Sequence, residues 1–160
     1  MPILQLTRRV DRVIAAILFF AIIAVDQMTK WHVVTTMMPG ESLPVLRDVF
    51  HWTYVQNHGA AFGILEDHQG FFILAGLALI VLFLRYYPKL KQTTVWMHYG
   101  TLAMLAGAVG NLIDRVRLHY VVDFFDFRIW PVFNIADIAI VGGVISMIYA
   151  ILFKMKDDEA

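Results

Sequence analysis

The apolar residues of the chain fall into four long runs separated by short polar segments. The first run, from Val13 to Val25, is uninterrupted, and the third, from Thr93 to Ile113, carries no formal charge. The second ends at Pro88, a residue that disrupts helices. A helix needs ~20 mostly apolar residues to cross the hydrocarbon of a bilayer. The pattern therefore predicts four membrane-spanning helices, at about residues 12–31, 69–87, 93–114 and 132–153.

Two of these runs reach full length only by including an acid. The first must continue through Asp26, and the fourth contains Asp137. A charged side chain inside a span is costly and usually marks function. We therefore expect both acids at or just inside the membrane boundary.

The one sizeable non-helical segment is predicted between the first two helices, at about residues 39–67. Within it Phe50, Trp52 and Tyr54 alternate with the more polar His51 and Thr53, which is typical of a strand with one apolar face. Because aromatic side chains favour the membrane interface, we expect a small β-rich segment on the outer membrane surface. A surface loop with aromatic anchors and no active role fits the pattern equally well.

Small residues recur along the third and fourth predicted helices at steps of three and four. Such stripes let helix backbones approach closely in lipid, so we interpret them as packing surfaces. They are Gly100, Ala103, Gly107 and Gly110 on the third helix, and Ala136, Ala139, Gly143, Ser146 and Ala150 on the fourth.

Composition agrees with a membrane protein. The chain has 59% hydrophobic and only 16% charged residues, without a linker or composition shift, so residues 1–160 are read as a single polytopic domain. Net charge is near zero and no basic patch exists, which argues against nucleic-acid binding. Cysteine is absent, which excludes disulfides, thiol catalysis and cysteine-ligated metals.

The basic residues predict the orientation of the helices. Eight of the 13 fall in the segments that share a side with the two termini, so both termini are expected in the cytoplasm. The N-terminus could also be a cleavable signal peptide, but no Ala-x-Ala-like site follows the first run, and we interpret it as a retained span. The eight are Arg8, Arg9, Arg12, Arg85, Lys89, Lys91, Lys154 and Lys156.

This orientation brings four acids to one rim. Spans one and three end, and span four begins, on the outer face, so Asp26, Asp114, Asp123 and Asp137 should gather there. Four acids that converge indicate function more strongly than any one of them.

Three polar pairs have helical spacing and so share a helix face. They are Asp26 with Lys30, Asn111 with Asp114, and Asn134 with Asp137. We interpret Asp26 and Lys30 as a boundary ion pair that shapes a helix end. Asp114 also receives a structural interpretation, because Arg115 and Arg117 offer local charge partners.

Asp123 and Asp137 lack an obvious local cation. Desolvation without compensation raises the pKa of a carboxyl group, and two such groups close together can share one proton. An aspartic peptidase needs that arrangement, because one carboxylate draws a proton from water while the other protonates the scissile carbonyl. A purely structural hydrogen-bonding role for the two acids is the alternative.

Other chemistries have less support. Ser42 with Lys30 could in principle form a serine–lysine dyad, but their spacing does not favour it. The six histidines show no His-Glu-x-x-His arrangement, which argues against a zinc peptidase. A small transporter would place its site near the midplane and show repeated halves, and a purely structural subunit would leave the converging polar pairs unexplained.

Five segments, in order along the chain, together resemble the bacterial lipoprotein signal peptidase (type II, prolipoprotein) family. Asp26-Gln27-Met28-Thr29-Lys30 resembles its Asp-x-x-x-Lys motif, and Asn57 to Gly63 resembles its Asn-x-Gly-Ala-Ala-Phe segment. Gly107 to Arg115 is similar to its third-span signature. Val121 to Phe124 and Phe133 to Asp137 resemble the segments that bear its catalytic aspartates.

The resemblance implies an all-α membrane protein with four transmembrane helices and a small β-rich extracytoplasmic segment, acting as an aspartic endopeptidase. It implies cleavage of prolipoproteins just before a diacylglyceryl-modified cysteine, at the extracytoplasmic face of the bacterial inner membrane. Neither a metal nor an organic cofactor is implied, globomycin-type peptides should inhibit, and we expect a monomer in contact with membrane lipids. By motif position Asp123 and Asp137 are catalytic, and Asn57, Gly59, Asn111, Asp114, Arg115, Asn134, Asp26 and Lys30 bind substrate or support the site.

Overall fold

A computed structural model describes residues 2–59, 69–90 and 92–154 of the chain, with side chains from residue 11 onward. The described part is mostly helical. Its helices are α1 (Pro2–Thr36), α2 (Gln69–Leu90), α3 (Val95–Leu118) and α4 (Ile135–Tyr149), and α4 continues as a π-helical turn, Ala150–Lys154. Its strands are β1 (Ser42–Leu46), β2 (Phe50–Asn57) and β3 (Val121–Asp126).

Three helices of the described residues are long and apolar enough to cross a membrane. They cover Asp11–Thr36, Gln69–Leu90 and Ile135–Lys154, and correspond to the first, second and fourth predicted spans. The third predicted span corresponds to α3, which is more polar and has most of one side buried against other helices. A fourth crossing therefore stays a prediction.

The second helix does not end where the sequence predicted. Pro88 was expected to stop it, but α2 runs on to Leu90 with Pro88 inside its last turn. Pro88 has no N–H to donate to the preceding turn, but only two residues follow it, so the helix loses one hydrogen bond and ends within the same turn. The prediction of a stop at Pro88 was wrong by about one turn.

The strands form one antiparallel sheet in the order β1, β2, β3. The strand predicted around Phe50–Tyr54 is present as β2 and extends to Asn57. The sheet is not confined to the segment between the first two helices, because its third strand comes from the connection between α3 and α4. Residues 60–67 of the predicted segment lie outside the described residues.

The sheet is fixed to one end of the helices by a small apolar core. Val33 of α1 and Met37, immediately after this helix, pack against Tyr54, Val122 and Phe124, and all five are buried. Phe124 also stacks on Trp52, with 4.7 Å between ring centroids. Strand β3 is thereby held against the end of the bundle.

Helices α3 and α4 pack closely along the predicted stripes of small residues. A Cβ at Gly143 would lie 2.5 Å from the carbonyl oxygen of Gly100, and one at Gly107 would overlap the carbonyl of Ala136. The predicted packing role of these residues is confirmed. The contact positions the first turn of α4 against the C-terminal half of α3.

Candidate active site

The first turn of α4 presents Asp137 in a defined position. Asn134 is the N-cap, and its Oδ1 accepts a hydrogen bond from Asp137 N at 2.9 Å. In return Asp137 Oδ2 accepts from Asn134 N at 3.2 Å, which completes a capping box. The pair with helical spacing noted in the sequence, Asn134 and Asp137, therefore both starts the helix and orients the carboxyl group of Asp137.

Asp123 lies on β3 and is almost fully buried, with 2% of its surface exposed. Asn57 Nδ2 donates to its Oδ2 at 2.8 Å, and Asn134 Nδ2 donates to its Oδ1 at 2.6 Å. Burial raises the pKa of Asp123 to about 7, and the nearby charge of Asp137 adds to this, whereas the two amide hydrogen bonds act in the opposite direction.

Two asparagines connect the two acids. Asn134 Nδ2 contacts Asp123 and also lies 3.1 Å from Asn111 Oδ1. Asn111 Nδ2 donates to Asp137 Oδ1 at 2.8 Å. The carboxyl groups of Asp123 and Asp137 are thus held relative to each other by amides from α3 and from the α4 cap.

The buried ammonium group of Lys30 helps to hold this arrangement through its contact with Asn111. Lys30 Nζ lies 3.0 Å from Asp26 Oδ2, 2.9 Å from Asp114 Oδ2 and 2.9 Å from Asn111 Oδ1. The predicted pair of Asp26 and Lys30 is present, but it is buried within the bundle rather than on a helix surface. The ion-pair partner of Asp114 is Lys30, so the expectation that Arg115 or Arg117 would pair with it was wrong.

The two carboxylates beside Lys30 also bind backbone. Asp26 Oδ1 accepts from Ala136 N at 2.9 Å, in the first turn of α4. Asp114 Oδ2 accepts from Val122 N at 3.1 Å, in β3. Each carboxylate therefore positions a residue next to one of the two candidate catalytic acids.

Asp123 and Asp137 line the same cavity, of about 290 Å³. Its other polar lining comes from Asn57, Gly59, Asn111 and Arg115. Its apolar wall comes from Val121, Trp130, Pro131, Val132, Phe133 and Val141. From Trp130 and Phe133 an apolar groove continues along α4, past Ile138, Gly142 and Ile145.

Arg115 brings positive charge to the edge of this cavity. Its guanidinium lies 4.9 Å from the centre of the Phe72 ring, and its Nη2 is 3.4 Å from the carbonyl oxygen of Gly59. Gly59 N in turn donates to Asn57 Oδ1 at 3.0 Å, so the start of this motif is tied to the site. The rest of the motif, Ala60 to Gly63, lies outside the described residues.

Sequence reasoning missed two parts of the site. Gln27 Nε2 donates to Asp114 Oδ1 at 2.9 Å and to Gly110 O at 3.2 Å, which fastens α1 to α3. The apolar wall around Trp130 and Phe133 was also missed. Their position immediately before the Asn134–Asp137 segment was the available signal, but an aromatic residue near a helix start has many other roles.

The structure offers little support for a serine–lysine dyad or for a zinc peptidase. Ser42 Oγ lies 3.0 Å from His51 Nδ1 and 2.8 Å from Thr53 Oγ1, whereas Lys30 is enclosed by its carboxylates. Among the residues that the structure describes, no group of three or more His, Asp or Glu side chains is arranged to hold a metal ion. The acids that line the cavity are Asp123 and Asp137.

Comparison with known proteins decides the family. The family described as "Signal peptidase (SPase) II" matches residues 18–153. The chain belongs to the signal peptidase II family. The matched range contains every site residue described above, from Asp26 to Asp137, and excludes the first turns of α1.

Individual relatives agree with this membership. The chain is 45% identical over 136 residues to the lipoprotein signal peptidase of Moorella thermoacetica, covering 85% of this chain and 91% of that protein. It is 47% identical over 132 residues to the lipoprotein signal peptidase of Halothermothrix orenii, covering 82% and 90%. A bacterial membrane enzyme solved by the in meso method at 2.3 Å resolution superposes with a TM-score of 0.84 at 34% identity, covering 89% of this chain and 90% of the other.

Proposed function

We propose that this signal peptidase II acts as an aspartic endopeptidase, with Asp123 and Asp137 as its catalytic pair. Members of the family cleave signal peptides from prolipoproteins, and the chain is a membrane protease of this kind. The observation that carries the aspartic mechanism is the shared cavity, in which two acids from different elements are linked through Asn111 and Asn134.

The chemistry follows from the protonation of the pair. Burial raises the pKa of Asp123 to about 7, so a pair that holds a single proton can exist near neutral pH. The charged carboxyl draws a proton from a water molecule as that water attacks the scissile carbonyl, and the protonated carboxyl gives its proton to the carbonyl oxygen. No covalent intermediate forms. Because the two groups titrate as a coupled pair, the roles of base and acid belong to the pair.

The walls of the cavity suit a lipidated precursor. We propose that the substrate is a prolipoprotein with a diacylglyceryl cysteine and that cleavage falls just before this cysteine. A signal peptide is itself an apolar helix, and the groove that leaves the site along α4 is lined by Ile138, Val141 and Ile145. Asn57 and Arg115 at the polar edge are placed to bind the peptide backbone near the scissile bond.

The membrane arrangement is part of the proposal. We propose that α3 also crosses, so that residues 1–160 form one domain with four spans, both termini in the cytoplasm and the site at the extracytoplasmic face of the inner membrane. The supporting observation is that Asp26, Asp114 and Ala136 meet at one end of the helices, where the sheet also sits. We propose that the enzyme acts as a monomer, because a single chain carries both acids and the asparagines that link them.

A cleavage assay on purified protein in detergent tests the catalytic pair. Asp123→Asn and Asp137→Asn should each lower the rate of release of the shortened lipoprotein by at least about 10²–10⁴-fold, which is the usual contribution of a general acid or base. Asp126→Asn is the matched control, since Asp126 is a buried acid on the same strand that binds Thr53 and Arg128 instead. It should retain activity.

Unchanged cleavage by both Asp123→Asn and Asp137→Asn, with the control behaving as described, would end the aspartic assignment. Circular dichroism in detergent establishes that each variant is folded. Loss of activity with retained helical signal is the result that supports the proposal.

A further inference from the structure

The side chain of Gln27 lies among the buried charges that support the site, although it does not line the cavity itself. Its Nε2 lies 2.9 Å from Asp114 Oδ1, 3.2 Å from Gly110 O and 3.2 Å from Asp26 Oδ2. A glutamine amide has two N–H groups to donate. This one amide therefore serves acceptors on both α1 and α3, and its shortest contact is the one to Asp114.

The two oxygens of the Asp114 carboxylate are held from different elements. Oδ2 lies 2.9 Å from Lys30 Nζ and accepts from Val122 N at 3.1 Å, whereas Oδ1 accepts from Gln27. The side chain is 3% exposed, so water has little access to replace a missing donor. Because the last torsion of an aspartate is broad, its carboxylate can turn unless donors hold both oxygens. Gln27 therefore fixes the rotation of this carboxylate.

The rotation of Asp114 affects the site through Val122, the residue before Asp123 on β3. The N–H of Val122 donates to Asp114, and the carbonyl oxygen of Val122 lies 3.3 Å from Asn134 Nδ2. The same Nδ2 donates to Asp123 Oδ1 at 2.6 Å. A turn of the Asp114 carboxylate would release the N–H of Val122 and let this part of β3 move relative to Asn134.

The charges around position 27 explain why an uncharged donor suits it. Asp26 and Asp114 share the ammonium group of Lys30, so these three side chains carry one more negative charge than positive. Buried carboxylates are tolerated when they are paired and hydrogen-bonded. The amide of Gln27 donates to both carboxylates without adding a cation that would compete with Lys30 for them.

We propose that Gln27 is a positioning residue of the cleavage site. Its amide holds the carboxylate of Asp114, and Asp114 in turn holds the backbone of β3 beside Asp123. The inference deepens the proposed function and rests on it, because it takes Asp123 as a member of the catalytic pair.

A purely structural role for Gln27 would be to fill space between α1 and α3, or to tie the two helices through Gly110 O. The loss of either role would lower stability, but neither role acts on the N–H of Val122. The test therefore follows that N–H together with cleavage.

The rate of cleavage of a lipidated precursor in detergent is the first measurement. In Gln27→Met, which keeps the length of the side chain but has no N–H, kcat should fall about ten-fold, the usual effect of losing a hydrogen bond to a charged group. This is less than the ~10²–10⁴-fold expected for a catalytic acid or base. KM should stay unchanged, because Gln27 is not part of the cavity lining.

A glutamate at this position makes the effect depend on pH. Gln27→Glu has nearly the shape of the original side chain, but it donates a hydrogen bond only while its carboxyl group is protonated. Relative to the unmodified chain at each pH, its kcat should approach one near about pH 5 and fall below that of Gln27→Met near about pH 8. Gln92→Glu is the matched control, since Gln92 is an exposed glutamine between α2 and α3, and its relative kcat should stay at one.

The charged groups near position 27 agree with this expectation. A carboxylate there would add repulsion, because Lys30 already contacts two carboxylates. The groups are Asp26 and Lys30 on α1, Asp114 and Arg115 on α3, and, joined to them through Asn111 and Asn134, Asp123 of β3 and Asp137 of α4.

Hydrogen exchange of single amides, followed by nuclear magnetic resonance in detergent, is the second measurement. In Gln27→Met the N–H of Val122 should exchange about ten-fold faster than in the unmodified chain. Phe124 N, on the same strand, donates to Phe133 O at 3.0 Å and provides the internal reference, whose exchange should not change. Equal changes at the two amides would show a general loss of stability and would overturn the inference.

Two cleavage results would also overturn it. One is full activity in Gln27→Met, and the other is a relative kcat of Gln27→Glu that stays constant with pH. Should Gln27→Met fail to fold, the pH dependence of Gln27→Glu decides alone. The exchange of Val122 does not depend on which residues are catalytic, so a failure of this inference is distinguishable from a failure of the proposed function, which Asp123→Asn and Asp137→Asn test.

Discussion

Lys30 is the residue on which the buried charges of the site depend. Lys30 is 2% exposed, and its ammonium group contacts Asp26, Asp114 and the side-chain oxygen of Asn111. By holding Asn111 Oδ1, it turns the amide nitrogen of that residue toward Asp137. Lys30 therefore acts at a distance from the reacting atoms, as a positioning residue.

Removing this ammonium leaves the buried carboxylates of Asp26 and Asp114 without the cation that both of them contact. We expect Lys30→Met to lower the free energy of unfolding by about 3–5 kcal/mol, as found when one member of a buried ion pair is removed. Thermal unfolding in detergent measures the change. Arg47→Met is the control, because the Arg47–Asp48 pair is 3.8 Å apart and its side chains are 93% and 90% exposed. Equal unfolding temperatures for the two variants would contradict this account of Lys30.

Cleavage should depend on pH through Asp123. Because its pKa is raised to about 7, chiefly by burial, the singly protonated pair is lost as pH rises through that value. The rate of precursor cleavage is therefore expected to fall above about pH 7. A rate that stays constant from pH 6 to 9, with the substrate binding unchanged, would be incompatible with a shared proton.

The raised pKa of Asp123 also predicts that the free energy of unfolding depends on pH. An unfolded aspartate has a pKa of about 3.9, so the folded state binds the proton of Asp123 more tightly than the unfolded state does. This contribution to the free energy of unfolding is fully present below about pH 4 and is lost as pH rises through about 7. The free energy of unfolding is measured from pH 4 to 8 for the unmodified chain and for Asp123→Asn. As pH rises, it should fall more in the unmodified chain than in the variant.

At the scale of elements, strand β3 explains how an acid becomes buried beside α4. Val122 and Phe124 point to the apolar core at the end of α1, and side chains alternate along a strand. Asp123, between them, therefore points to the other side, where it lines the cavity. The apolar flanks that drew attention to Asp123 in the sequence are the residues that fix its direction.

The close contact of α3 with α4 gives a further prediction. Gly107→Ala would place a Cβ against the carbonyl of Ala136, the residue before Asp137, and we expect it to cost about 1–3 kcal/mol of stability, as overpacking does. Cleavage should also decline, because α4 must shift. Gly70→Ala is the control, since a Cβ there meets nothing within 4 Å and Gly70 lies outside the cavity and the groove. Should the two alanines behave alike, the contact would not be the constraint described.

For the whole molecule, the proposal that α3 crosses the membrane predicts on which side each connection lies. The chain has no native cysteine, so single cysteines can be introduced at Asp48, Lys89 and Arg117 and labelled with a membrane-impermeant maleimide in spheroplasts. We expect positions 48 and 117 to react from outside and position 89 only after permeabilisation. Reaction of 89 and 117 from the same side would show that α3 does not cross.

Much of this structure can be predicted from the sequence alone. A run of apolar residues, and the position of a charged residue within that run, are local properties of the chain. The three apolar helices, the strand at Phe50–Tyr54 and the stripes of small residues were predicted in this way. The family resemblance, carried by short motifs such as Asp26 to Lys30, is likewise a property of local segments.

Only the tertiary structure decided which distant groups meet. The pairing of β3 with β2, the choice of Lys30 as the partner of Asp114, and the bond from Ala136 N to Asp26, 110 residues away, depend on how the helices pack. Spacing along a chain determines which residues share a face, whereas burial and partner choice are set by the elements that cover that face.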